Sequence, residues 1–360
     1  MRLAILFGGR SGEHEVSRVS ATAVIHAADK TKYELVLIGI TKSGKWLLYD
    51  GPVDKIAGGE WEALAEAAYE KDPARYGVSL LGTGGRSIRD LCDFVIPVIH
   101  GPNCEDGKVQ GLLELAGIPY GGSGVTGSAV AMDKIIAKAV FKDAGLPVGP
   151  YVPLMREEIE ADMDAAVRAV SVLRYPVFVK PANMGSSVGI SKVRTPEELP
   201  DALREAARYD RRLIVEQGID GREIEISVWG NTAADLWVSC PGEIEYTADF
   251  YDYNAKYHDE NGLTLTLPAK ISDEKRREIG ELAKKAYLAS DCAGFARCDF
   301  FLERGTDRFW LNEINTLPGC TSVSMFPLMW MESGRSFSEL VDRIVKLGME
   351  KYISQNAPRG

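Results

Sequence analysis

The sequence predicts an α/β protein in three parts. They are an N-terminal doubly wound parallel sheet, a small central α+β unit, and a larger C-terminal α+β unit with a lid loop. Three observations predict it. Through the first 120 residues, short apolar runs alternate with helix-periodic segments, the pattern of a parallel sheet with helices on its faces. Glycine-rich and Gly/Pro-rich breaks follow at 120–127 and 145–153. The 360 residues also exceed one ordinary core, at ~150 residues per domain.

Taken in order, residues 3–7 are an apolar run ending at Gly8-Gly9, and helical periodicity follows over 13–28. Residues 33–40 and 94–100 read as buried strands, and 107–116 as a helix. Ligands of such sheets bind beyond the carboxyl ends of the strands, here 8–12 and 100–107. The four glycines of 120–127 read as a hinge, followed by a helix over 133–144 and a linker over 145–153. A helix at 162–173, strands 177–181 and 188–193, a helix at 196–208 and a strand at 212–216 make the small central unit. Strands continue to about residue 244. Residues 246–262 are polar, aromatic-rich and unpatterned, long enough to form a lid. A helix at 273–290, strands at 293–301 and 309–313, and a helix from Ser336 close the chain. The expected divisions are 1–122, 123–215 and 216–360.

Composition excludes several classes. Formal charge is −10, with 42 basic and 52 acidic residues, which argues against a nucleic-acid binder. The longest apolar runs, such as 94–99, fall far short of the ~20 residues that span a membrane. The N-terminus does not read as a signal peptide. Six cysteines without a CxxC pair indicate reduced thiols and a cytoplasmic protein. Four histidines form no HxxxH or HExxH pattern, so zinc hydrolysis has no support.

Four stretches carry chemistry. In FGGRSGEHEVS, 7–17, two glycines let the backbone approach a ligand. Ser11 can cap a helix whose first turn holds Glu13, a carboxylate suited to a ligand's ammonium group. Alone, this stretch is equally a strand–helix turn with a capping acid. In VKPANMGSSVGIS, 179–191, Lys180 precedes a small-residue loop whose N–H groups and hydroxyls can cradle phosphate. It is not a GxxxxGK[ST] loop, and alone it is an ordinary hairpin. In RCDFF and LNEINTLPG, strand alternation places Arg297 with Asp299, and Glu313 with Asn315, on one side. Two carboxylates and an amide oxygen are hard ligands that suit Mg²⁺; the alternative is a half-solvated sheet face with ion pairs. Finally, FYDYNAKYHD, 250–259, packs four aromatics, two acids, Lys256 and His258 into ten residues. That content suits a lid that excludes water, or else an aromatic surface loop.

Together and in this order, these stretches resemble the D-alanine–D-alanine ligase family, whose fold is ATP-grasp. The matching segments are GGRSGEHEVS, VIHGPNCEDGKVQGLLELAGIPYGGSG, AMDKIIAK, VKPANMGSSVGISKV, VEQGIDGREIEISV, residues 249–257, ARCDFF and LNEINTLPGCTSVSMFP. The resemblance spans 3 to about 346. It implies an ATP-dependent ligase that makes D-alanyl-D-alanine for peptidoglycan through a D-alanyl phosphate. D-alanine–D-serine or D-alanine–D-lactate ligase is the alternative within the same fold. A nucleotide-binding sensor that had lost catalysis would not need the retained Arg297, Asp299, Glu313 and Asn315, and no GxGxxG supports a dinucleotide enzyme.

By the resemblance, Glu13 holds the ammonium of the first D-alanine, with His100 nearby, and Ser186 orients Tyr257 and the lid. Gly319 and Ser324 bind at the second D-alanine site. Arg297 stabilises the acyl phosphate and the tetrahedral intermediate. Asp299, Glu313 and Asn315 hold two Mg²⁺ ions, for which Mn²⁺ can substitute. Lys134, Lys180 and Lys256 contact ATP phosphates, Glu216 and Glu223 bind adenosine groups, and Phe250 packs near adenine. The partners implied are D-alanine and ATP, and the assembly a homodimer. The Lys256-Tyr257 pair resembles the D-alanine-specific members, whereas depsipeptide ligases carry a different, histidine-bearing lid. Here His258 directly follows Tyr257. Two departures stand out: Cys104 in the loop after His100, and Cys320 after Pro318-Gly319.

Overall fold

The computed structural model describes residues 1–80, 85–246 and 263–357. The N-terminal sheet has the order Trp46–Tyr49, Glu34–Ile40, Arg2–Gly8, Phe94–Pro97. Arg2–Gly8 runs parallel to both neighbours, and Trp46–Tyr49 is an antiparallel edge. Alternation along Arg2–Gly8 splits its side chains between two cores. Leu3, Ile5 and Phe7 pack with Val24 and Ile25 of helix His14–Ala27 and with Trp61. Ala4 and Leu6 pack with Ile88, Val109 and Leu113 on the opposite face. Helices on both faces make the sheet doubly wound. The expected strand 94–100 pairs only as far as Pro97, where the residues after it turn towards the ligand end. Helices Asp54–Gly58 and Glu60–Lys71 were not anticipated; Trp61 on the latter lies against Gly39, where a Cβ would sit 2.1 Å from its ring.

The C-terminal helix Phe337–Asn356 returns to this first sheet. Ser336 and Glu339 form a reciprocal capping box at its start. Leu340, Val341, Ile344 and Leu347 join the core of Leu3, Ile5 and Phe94. Close approach rests on Gly348: a Cβ there would lie 2.4 Å from the Phe94 ring and 2.5 Å from the Tyr120 carbonyl oxygen. One of those obstacles is backbone and cannot rotate away. Gly348→Ala is therefore expected to destabilise the fold by about 1–3 kcal/mol, despite alanine's better helix propensity. Chemical denaturation would check this, and a raised midpoint would show that the helix can shift. One turn on, the Lys351 ammonium donates to the Gly122 carbonyl (2.6 Å) and lies 3.8 Å from the Tyr120 ring centre. Burial pushes its pKa down to about 8.

The central sheet is antiparallel, in the order Tyr151–Met155, Arg212–Gln217, Val177–Pro181, Ser191–Val193. Val177, Val179, Leu213 and Val215 pack beneath helices Met163–Val170 and Leu199–Ala207. By alternation, Lys180 and Glu216 lie on the opposite face, which the helices leave to the site.

The third sheet orders Leu263–Thr266, Gly242–Tyr246, Gly221–Gly230, Gly294–Glu303 and Phe309–Asn315, all antiparallel. One face is apolar. Ile224, Ile226, Cys298, Phe300 and Ile314 pack with helix Asp273–Ala289 and with Ala137 and Phe141 of helix Lys134–Asp143. The other face carries Glu223, Glu225, Arg297, Asp299, Glu313 and Asn315. A β-bulge maintains that division. Register shifts between Asp299↔Glu313 and Phe300↔Leu311, leaving Asn312 as the extra residue. Without it, buried Leu311 and Glu313 would share a face; with it, Ile314 turns inward and Glu313 outward.

Two expected divisions meet structure at odds with a clean cut. Position 215/216 falls inside strand Arg212–Gln217, and helix Lys134–Asp143 buries its apolar side, Ala137 and Phe141, in the core of the third sheet. The expected hinge at 120–127 already contains the start of helix Val125–Met132. Among the described residues, no helix is long and apolar enough to cross a membrane.

Candidate active site

The ends of all three sheets contribute. After Arg2–Gly8 the chain reverses through Gly8 and Gly9, with φ 88° and 102°. A Cβ on Gly8 would lie 2.2 Å from the Ile40 carbonyl oxygen, so only glycine fits. The Ser11 hydroxyl donates to the His100 carbonyl (2.6 Å) and accepts from the Glu13 N–H (3.2 Å). The helix thus begins one residue later than expected. Glu13 is its N-cap, and Ser11 braces the approach rather than capping the helix. Cβ atoms built on Gly101 and Gly185 would lie 2.5 and 3.0 Å from the same Glu13 oxygen, Oε2. The buried carboxylate is therefore held between two glycine loops, one from each side of the cleft. Ser186, with φ 49°, donates its hydroxyl to Glu13 Oε1. That left-handed backbone at Ser186, repeated at Ser187 (φ 60°), is strained for a residue with a Cβ, as occurs at ligand clamps.

His100 ties this end to the third sheet. Its Nδ1 faces two acceptors, the Leu317 carbonyl (3.1 Å) and Glu105 Oε1 (3.4 Å), and Nε2 meets Ser20 Oγ (3.1 Å). Burial alone would lower the imidazole's pKa; Glu105, Glu13 and the Leu317 carbonyl outweigh it and raise the pKa above the ordinary value. Cys104 fits without backbone strain, because Gly101, Asn103 and Gly107 take the left-handed conformations of this loop. Its buried side chain packs in the core beneath Ile99 and Val109. Cys320 is likewise buried, its thiol donating to the Pro318 carbonyl (3.4 Å).

Next come the charged strands. Arg297 donates two parallel bonds to Asp299, at 2.7 and 2.8 Å, and its Nε lies 3.1 Å from Glu225 Oε2. Asn315 donates to Asp299 Oδ2 (2.9 Å), and Glu313 is the cross-strand partner of Asp299. Burial opposes the guanidinium's charge, yet Asp299 and Glu225 hold its pKa well above the usual value. All four residues expected here meet on one face. Among the described residues, no three His, Cys, Asp or Glu side chains form a metal-holding group. The set is two carboxylates and one amide, hard oxygen donors that fit a small divalent cation. A cation held here would share the Asp299 carboxylate with Arg297, whose second partner is Glu225. Glu225 was not anticipated; it follows Glu223 by two residues, and that spacing was the signal.

The lysines occupy a third region. Lys134 donates to the Met184 carbonyl (2.7 Å), holding the small-residue loop from its far side. Lys180 donates to Glu216 Oε2 (2.8 Å). Lys138, also unanticipated, lies 3.2 Å from Glu216 Oε1. Burial would raise the carboxyl's pKa, but the two ammonium groups outweigh it and hold Glu216 down to about 2. Glu223 is half-buried on Gly221–Gly230, on the same face as Glu225. The Ser324 hydroxyl accepts the Thr321 N–H (3.0 Å) ahead of helix Met325–Glu332, and a Cβ on Gly319 would lie 3.1 Å from that oxygen. Gly319 and Ser324 are thus adjacent. Phe250, Lys256, Tyr257, His258 and the expected lid lie outside the described residues.

Family models described as D-ala D-ala ligase N-terminus and C-terminus match residues 2–123 and 140–346. The chain is 49% identical over 352 residues to the D-alanine–D-alanine ligase of Thermoanaerobacter sp. (strain X514), covering 98% of this chain and 97% of that one. Among solved structures, the VanG D-Ala:D-Ser ligase from Enterococcus faecalis superposes with TM-score 0.83 at 37% identity, over 96% of this chain and 99% of that one. The D-alanine-D-alanine ligase from Coxiella burnetii gives 0.83 at 34% identity, over 99% and 95%.

Proposed function

This chain belongs to the D-alanine–D-alanine ligase family, and from that premise we propose a role for each residue of the site. The protein is an ATP-dependent, ADP-forming ligase of ATP-grasp fold that joins two D-alanine molecules for the cell wall. It uses a divalent metal. The observation that carries the residue assignment is a pair of links between the parts: Ser186 of the central loop donates to the buried Glu13, and His100 beside it reaches the Leu317 carbonyl, two residues beyond Asn315.

Glu13 receives the ammonium of the first D-alanine, and the Ser186 contact fixes which carboxylate oxygen faces it. That places the substrate carboxylate towards Arg297. An oxygen of that carboxylate attacks the γ-phosphorus of ATP, ADP leaves, and a D-alanyl phosphate remains. Lys134 and Lys180 attract the phosphate oxygens, and Glu216 and Glu223 take the adenosine end, with Phe250 and Lys256 completing the nucleotide site. The unprotonated amine of the second D-alanine, held at Gly319 and Ser324, attacks the acyl carbon. Oxygen charge develops there and Arg297 stabilises it; the carbon–oxygen bond to phosphate then breaks, and inorganic phosphate departs with the proton released by the amine. Asp299, Glu313 and Asn315 would hold two Mg²⁺ ions, or Mn²⁺ in their place, which would supply charge neutralisation for phosphoryl transfer. Tyr257 and the lid keep water from the acyl phosphate. We place the three structural parts near 1–122, 123–215 and 216–360, with the 123–146 helices serving the third sheet. The assembly we propose is a cytoplasmic homodimer.

A D-serine acceptor is the second reading, favoured by the likeness to the VanG ligase. Incubation with ATP, Mg²⁺ and D-alanine, alone and with equal D-serine or D-lactate, decides between them by product mass. D-alanyl-D-alanine with one ADP per dipeptide is expected in every mixture. Predominance of the mixed product with D-serine would move the assignment to that reading. Predominance of the D-lactate product at acidic pH would make His258 the specificity residue in place of Tyr257.

A further inference from the structure

Lys138 lies one turn beyond Lys134 on helix Lys134–Asp143 and is 4% exposed. Its ammonium touches two sheets at once. It lies 3.2 Å from Glu216 Oε1 on the central sheet and donates to the Asn312 carbonyl (3.3 Å) on the third. Those two contacts have different consequences. Glu216 Oε2 accepts from Lys180, and Lys138 sets a second positive charge against Oε1, so each oxygen of the carboxylate faces its own ammonium. Asn312 is the extra residue of the bulge that turns Glu313 and Asn315 to the polar face. Burying an ammonium carries a desolvation cost that a methionine of similar length would avoid. Filling space therefore does not explain a lysine here.

We infer that Lys138 is a positioning residue that couples the nucleotide carboxylate Glu216 to the bulge aiming Glu313 and Asn315. The Lys138 ammonium contacts the Glu216 carboxylate and the Asn312 carbonyl. It acts through Glu216 on one side and through the backbone beside Glu313 on the other. The inference rests on the reading of Glu216 as a nucleotide contact, so the experiment tests the two separately.

Lys138→Met, Lys138→Arg and Glu216→Gln are compared in the full-length chain. The readouts are the Kd of a non-hydrolysable ATP analogue without D-alanine, KM for ATP, KM for D-alanine, and the Mg²⁺ concentration giving half-maximal rate. Lys138→Met is expected to raise the analogue Kd and the KM for ATP about tenfold, with KM for D-alanine within about twofold. The Mg²⁺ requirement should rise several-fold in parallel, and Lys138→Arg should recover part of both. Glu216→Gln should weaken the nucleotide without moving the Mg²⁺ requirement. Parent-like nucleotide and Mg²⁺ dependence in Lys138→Met would overturn the inference. So would an equal rise in KM for ATP and D-alanine, the mark of general loosening. If Glu216→Gln bound the analogue normally, the Glu216 reading would fall, and with it the coupling. Should Lys138→Met fail to fold, Lys138→Gln carries the same readouts, since its amide retains a donor for Asn312 but no charge.

Discussion

Asp299→Asn and Glu313→Gln will each lower turnover by about 10³-fold or more, while the folded state survives. The structure sets both halves of that expectation. Asp299 and Glu313 are cross-strand partners, and the bulge at Asn312 brings them to one face with Asn315. Either change preserves side-chain shape but removes one anionic oxygen ligand. A lost ligand costs several kcal/mol of charge stabilisation on the transferring phosphoryl group, and 1.36 kcal/mol is tenfold in rate. The fold survives for a separate reason. Arg297 has Glu225 as a second carboxylate, 3.1 Å from its Nε, so Asp299→Asn does not leave the guanidinium alone. ADP release followed against Mg²⁺ concentration, beside thermal unfolding, reads both effects. Ordinary Mg²⁺-dependent ADP release by either variant would refute the ligand assignment. Unfolding of both would show that these carboxylates are structural counter-charges first.

How much of this was legible in the sequence depended on the range of the interaction. Residues 3–7 announce a strand because both faces of it are buried, and they end at the Gly8-Gly9 turn that only glycine can make. The same-face placement of Arg297 with Asp299, and of Glu313 with Asn315, followed from strand alternation and is what the register shows. Helix Met325–Glu332 was not legible, because MFPLMWME is apolar on nearly every side and carries Pro327; even its exposed side holds Met331, so it shows no polar stripe. The bulge at Asn312 leaves no local mark either, since a slip of one residue is a property of the pair of strands. Glu225, Glu105 and Lys138 were missed for a related reason. Each is defined by its partner, Arg297, His100 or Glu216, from 5 to 78 positions away, and a single charged residue reads as solvated until its partner is known.

The proposed role of Arg297 joins stability to catalysis, and two substitutions separate them. Arg297→Lys retains the charge but loses the fork that makes two parallel bonds to Asp299 while Nε stays within 3.1 Å of Glu225. It is expected to lower kcat by about 10²–10³-fold, the usual scale for losing an oriented donor at a developing oxyanion. Its KM for ATP should move little, since Lys180, Lys134 and Glu216 lie elsewhere in the cleft. Arg297→Met goes further and withdraws the guanidinium from both carboxylates. Breaking a buried ion pair from one side costs about 3–5 kcal/mol, so the unfolding midpoint should fall sharply. A cation can replace what was lost. Asp299, Glu225 and Glu313 would then form a concentrated negative face, and a ligand that binds only the folded chain stabilises it by mass action. Added Mg²⁺ should therefore raise the midpoint of Arg297→Met more than that of the parent, without restoring turnover. Equal Mg²⁺ shifts in both proteins would show that Arg297 and the metal do not compete for Asp299. A restored rate would show that charge at this position, rather than the oriented guanidinium, is what the acyl-transfer step needs.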